Sequence, residues 1–106
     1  ITPTFFRAVL MAIGIIATLQ TKPGQQAAFE PIFLELSALV RAHEPGNHFY
    51  ALHKSPASDT TYVVLEQYAD DAALQAHNQT EYFKRLGGAM GPHMAGRPKI
   101  EMLDAV

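Results

Sequence analysis

A chain of 106 residues with 48% hydrophobic and 17% charged side chains is one globular domain, far from the composition of a disordered segment. A net charge of -2, with eight scattered Lys and Arg, leaves no basic stripe for nucleic acid. The absence of Cys excludes disulfides, thiolate nucleophiles and Cys-ligated metals, and it fits a cytoplasmic protein. There is no Gly-rich phosphate loop and no G-x-S-x-G elbow.

The apolar run Ala8–Leu19 follows Arg7 and looks superficially like a signal-peptide core. It is too short to span a bilayer and lacks a small-x-small cleavage site, so no membrane attachment is expected. A strand covered on both faces reads as the same unbroken apolar run, and the expectation is a first strand from Ala12 to Gln20. The ten residues before Met11 are read as an extension, either upstream sequence or introduced by expression, and residues 11–106 as the domain.

Thr21-Lys22-Pro23-Gly24 breaks the strand with turn chemistry. Phe29, Ile32, Phe33, Leu36, Leu39 and Val40 then recur at spacings of three and four, which predicts a helix to about His43. Pro31 either lies in the first turn of a helix starting near Glu30 or bends a longer one. Glu44-Pro45-Gly46 stops it, and strands over Asn47–Lys54 and Thr61–Tyr68 form a hairpin.

Asp70 is a natural N-cap for a short helix ending near His77, and Thr80 for a second with Phe83, Leu86 and Met90 facing inward. Gly91-Pro92 ends that helix, and Lys99–Ala105 supplies a last strand. The order β-α-β-β-α-β is the ferredoxin-like pattern of the α+β class, a four-stranded antiparallel sheet with helices on one face. The other face carries Ile16 and Thr18 from strand one and Val63 and Leu65 from strand three. A monomer would expose this patch, so a sheet-to-sheet homodimer is expected.

Most chemistry-bearing residues fall between Tyr62 and Leu86. Tyr62, Glu66 and Tyr68 share one face of the third strand, and His77 and Tyr82 follow on the helices. An imidazole can exchange a proton near neutral pH, so His77 is either a general base or a helix-end residue that bonds a carbonyl or lies at the pocket rim. Glu66, if buried, needs a partner, either a Tyr hydroxyl or His77. The tyrosines are pocket wall or core with bonded hydroxyls, which could also orient a ligand. His48 and His53 differ by five on one strand, which predicts opposite faces and no paired metal site; His43 and His93 sit at element ends.

Four pieces in order carry a family resemblance: the strand into Thr21-Lys22-Pro23-Gly24-Gln25; Glu44-Pro45-Gly46 into Phe49-Tyr50; Glu66-Gln67-Tyr68 with Asp70; and Ala76 through Phe83. Together they make the chain, from Met11 to Val106, resemble the antibiotic biosynthesis monooxygenase family of dimeric α/β-barrel proteins, and most of all its bacterial quinol monooxygenases. The resemblance implies oxidation of a small quinol-like or polyketide-like aromatic by O₂ with no metal or flavin cofactor. It implies a pocket between the sheet and the helices. His77, Glu66 and Tyr68 would be catalytic there, and Tyr62, Tyr82, Phe83, Phe33 and Tyr50 would bind substrate. The departure is Tyr68, where the family commonly has Trp. That residue, with Ala17 and Leu86 where the haem-degrading branch has Asn and His, argues against haem degradation. A related isomerase branch resembles the chain through Glu-x-Tyr and His-x-x-Thr, and a non-enzymatic ligand-binding dimer is the third reading.

Overall fold

The computed structural model describes residues 11–106, so the extension expected over residues 1–10 lies outside the described residues. Strands β1 (Ile13–Gln20), β2 (Asn47–Lys54), β3 (Thr61–Tyr68) and β4 (Lys99–Asp104) form one antiparallel sheet in the order β2-β3-β1-β4. Helices α1 (Gln26–His43), α2 (Asp71–Gln79) and α3 (Glu81–Met90) complete the expected ferredoxin-like topology, and a short 3₁₀ turn spans Gly91–His93. Among the described residues no helix is long and apolar enough to cross a membrane.

Registration of the strands fixes which side chains meet. Ile15 pairs with Glu66 and Met102, Ala17 with Val64 and Ile100, and Tyr50 with Glu66. Alternation therefore sets Tyr50, Tyr62, Val64, Glu66 and Tyr68 on the same face as Ile15, Ala17 and Leu19. All eight are buried there with Phe29, Phe33, Leu36 and Val40 of α1, Leu74 of α2, and Leu86 and Met90 of α3. Each apolar stripe recurs at helical spacing, so burial of one face accounts for the packing.

Helix α1 begins at Gln26, which overturns the expected alternative of a start near Glu30. Pro31 lies inside the helix. The backbone donor it lacks would have reached Ala27, and both residues are exposed, so water can serve that carbonyl. Helix α2 runs to Gln79, two residues past His77. Asp70 caps it through Ala73 N–H at 2.8 Å.

A second correction concerns β2. A bulge between Asn47 and Phe49 breaks the period of two, and His48 bonds the side chain of Gln67 at 2.7 Å, on the outer face that His53 also shares. The two histidines are therefore not on opposite faces. Uniform alternation fails where one strand carries an extra residue.

Candidate functional site

Helices α1 and α2 roof the β2-β3 side of the sheet, while β4 stays exposed on both faces. The space left beside them is an open cavity of about 700 Å³. Its floor is Ile15, Ala17, Leu19, Val64 and Glu66, with Ile100 and Met102 of β4 as a lip. Phe33, Tyr50, His77, Phe83 and Met90 form the walls, and Asn78 and Arg97 stand at the rim.

Two chemically active side chains reach this space from opposite sides. Glu66 rises from β3 and is only 8% exposed. Its Oε1 accepts the Tyr68 hydroxyl at 2.9 Å. Burial pushes the Glu66 carboxyl up from its ordinary 4.5 to about 7, against the opposing effect of the Tyr68 hydrogen bond; the nearby Glu44 charge adds to the rise. The carboxyl therefore keeps its proton across the mildly acidic range and loses it near neutrality.

His77 descends from the last turn of α2 and is 2% exposed. Its Nδ1 lies 3.0 and 3.1 Å from the two carboxyl oxygens of Glu44. Aromatic rings enclose the imidazole, with centroids of Tyr50 at 5.2 Å, Tyr68 at 5.3 Å and Phe83 at 4.6 Å. Thr80 anchors the helix junction behind it. The Thr80 hydroxyl donates to the His77 carbonyl at 2.9 Å and accepts from Phe83 N–H at 3.3 Å. One residue thus ties the end of α2 to the start of α3.

Among the described residues, only Thr21 Oγ1 is a fully enclosed side-chain polar atom with no partner. His77 Nε2, the second carboxyl oxygen of Glu66 and the Tyr50 hydroxyl make no hydrogen bond to those residues, so each opens onto the cavity they line. The Tyr50 hydroxyl is held protonated far above its ordinary range, first by burial and then by the charges of Glu66 and Glu44. A base nitrogen, a carboxylic acid and a phenol therefore face one apolar chamber.

Five of the eight expected site residues line the cavity: Glu66, His77, Phe33, Tyr50 and Phe83. Tyr68 stands behind Glu66 as its hydrogen-bond donor, and burial with the adjacent Glu66 charge drives its hydroxyl far above the ordinary range. Tyr62 is turned away, its ring 4.9 Å from Phe29 and its hydroxyl bonded to Glu30. Tyr82 stands outside the cavity with its hydroxyl on Glu44. Sequence reasoning missed Glu44, Asn78 and Arg97. Glu44 was visible only in the turn Glu44-Pro45-Gly46, and Arg97 lies in the connection between the 3₁₀ turn and β4, where no periodic pattern singles it out.

This geometry has counterparts. Residues 12–87 match the model of the family described as Antibiotic biosynthesis monooxygenase. The chain is 34% identical over 72 residues to the Bacillus subtilis (strain 168) protein YcnE, which bears a provisional monooxygenase name; the match spans 68% of this chain and 75% of that one. A Caulobacter crescentus CB15 structure, provisionally named an antibiotic biosynthesis monooxygenase, is 47% identical with a TM-score of 0.89, over 98% of this chain and 99% of its own. The Pseudomonas aeruginosa protein PA3566 is 31% identical with a TM-score of 0.82, over 91% and 95% respectively. The chain belongs to the antibiotic biosynthesis monooxygenase family.

Proposed function

We propose that the protein oxidises a small electron-rich aromatic of the quinol type with O₂, drawing the electrons from the substrate itself. The observation that carries this reading is that His77 and Glu66, whose carboxyl is pushed up to about 7, line the same apolar cavity, which is large enough for a flat ring. His77 accepts a phenolic proton, which makes the ring anion electron-rich enough to reduce O₂. The Tyr50 hydroxyl and the Glu66 acid group stabilise the anion by hydrogen bonding from a largely apolar wall. Oxygen joins a ring carbon as a peroxide, Glu66 gives a proton to the departing oxygen, and water leaves. In balance, a quinol and O₂ yield a hydroxyquinone and water. The monooxygenase names of the relatives support the reaction class.

The test is saturable oxygen uptake with a panel of quinols, corrected for autoxidation, with ¹⁸O₂ label recovered in the product. No uptake above background across the panel removes the reading. A second reading draws on the same pair, because a base and a carboxylic acid facing one cavity are also what enolisation of a small hydroxy-ketone needs. That isomerase needs no oxygen, so turnover of hydroxy-ketones under argon separates the two. Ligand binding with no turnover in either assay would leave a binding protein.

The assembly proposed with this function is a homodimer through the outer sheet face. Phe49, Leu65 and Leu103 stand 45%, 37% and 52% exposed there, beside Ile16 and Val63. Lys99, Thr61, Gln20 and His53 lie at the strand ends of the same face. An apolar centre with a polar margin suits a second copy of the chain.

A further inference from the structure

His77 does not act alone. Both oxygens of Glu44 lie within 3.1 Å of Nδ1, and one of them, Oε2, also accepts the Tyr82 hydroxyl. The three residues come from three places: the end of α1, the last turn of α2 and the first turn of α3. The Glu44 side chain is 9% exposed and that of His77 2%, so little water competes for the contact. Burial and the Glu44 hydrogen bond push the Tyr82 hydroxyl up to about 12, which keeps it a donor.

A carboxylate accepting from Tyr82 has only acceptor oxygens left for the imidazole, so Nδ1 must carry the hydrogen. In the neutral ring Nε2 is then the lone-pair nitrogen, and it is the one that opens onto the cavity. We propose that Glu44, backed by Tyr82, is a positioning residue that holds His77 in the Nδ1–H tautomer and presents Nε2 to the cavity as the base. Its catalytic consequence rests on the reading of His77 given above; its structural content does not.

The close approach that permits this arrangement lies next to Glu44. A Cβ on Gly46 would stand 2.6 Å from the Cβ of Ala73, so the turn after α1 reaches α2 only because residue 46 has no side chain. The Gly46 carbonyl accepts Ala69 N–H at 2.8 Å and pins the turn there.

The experiment is ring ¹⁵N NMR of the ligand-free protein at a pH where His77 is neutral, with its signals assigned by their loss in His77→Gln. The expected result is a single Nδ1–H tautomer in the wild type and emergence of Nε2–H in Glu44→Ala. Tyr82→Phe should keep Nδ1–H, because Glu44 still accepts. With an active substrate, Glu44→Ala should lower kcat about tenfold to a hundredfold with KM little changed, as expected when the orienting partner of a functional His is removed. A wild-type Nε2–H tautomer, or Nδ1–H persisting in Glu44→Ala, overturns the proposal. The wild-type spectrum alone decides it if Glu44→Ala fails to fold. A correct tautomer without turnover of any quinol would instead uphold Glu44's role and remove the oxygenase reading.

Discussion

Glu44 and His77 meet at 3.0 Å although 33 residues separate them in sequence. The contact joins the end of α1 to the last turn of α2, and it decides which imidazole nitrogen faces the cavity. On the opposite side of the cavity, Tyr68 and Glu66 meet at 2.9 Å across one strand pleat. His77 and Glu66 therefore each have a partner behind them that fixes their orientation.

Replacing Glu66 tests the acid. In Glu66→Gln the amide oxygen can still accept from Tyr68, so the fold should be kept while proton donation is lost. Turnover should fall on the order of a hundredfold, a typical contribution of one acid/base group. Steady-state rates with circular dichroism as a folding control would check it.

The raised Glu66 pKa also predicts a stability profile. Between pH 4.5 and about 7 the folded protein binds a proton at Glu66 that the unfolded chain has released. The contribution of Glu66 to stability is therefore greatest below 4.5 and declines as pH rises through about 7, by on the order of 3 kcal/mol. Urea denaturation across that range should show a smaller decline in Glu66→Gln than in the wild type. Tyr68→Phe should steepen it, because the hydrogen bond that Tyr68 donates lowers the Glu66 pKa.

Gly46→Ala should destabilise the fold by about 1–3 kcal/mol, the usual range for forcing a methyl into a packed contact. The new Cβ would meet Ala73 Cβ at 2.6 Å. Ala73→Gly removes the obstructing atom, so the double variant should recover most of the loss against Ala73→Gly alone. Thermal unfolding of the four proteins in this cycle measures the coupling.

Leu65→Lys should convert a dimer into a monomer. Leu65 lies at the centre of the outer face and pairs with Ile16 and Ala51. A buried ammonium there would have no partner among these neighbours. Light scattering on the wild type and the variant reads the masses directly, and a monomeric wild type would remove the dimer.

Much of the fold was legible because it rests on local period. Alternation from Tyr62 to Tyr68 put the tyrosines and Glu66 on one face, and capping or turn residues marked the end of α1, the starts of α2 and α3 and the end of α3. Period alone says which face a residue occupies, not what stands opposite. Tyr62 and Glu66 share a face, yet one meets Glu30 under α1 and the other opens onto the cavity. Glu44 was hidden because its partners are placed by the packing of three helices. His48 was misplaced because a bulge leaves no clear mark in the residues around it.

The most direct measurement is initial oxygen uptake with quinols by the wild type, His77→Gln and Glu66→Gln in parallel. Saturable uptake is expected in the wild type, falling as pH rises through about 7, where Glu66 loses its proton. Each variant should lose activity on the order of a hundredfold. Wild-type uptake no faster than autoxidation, or full activity in both variants, would contradict the oxygenase reading.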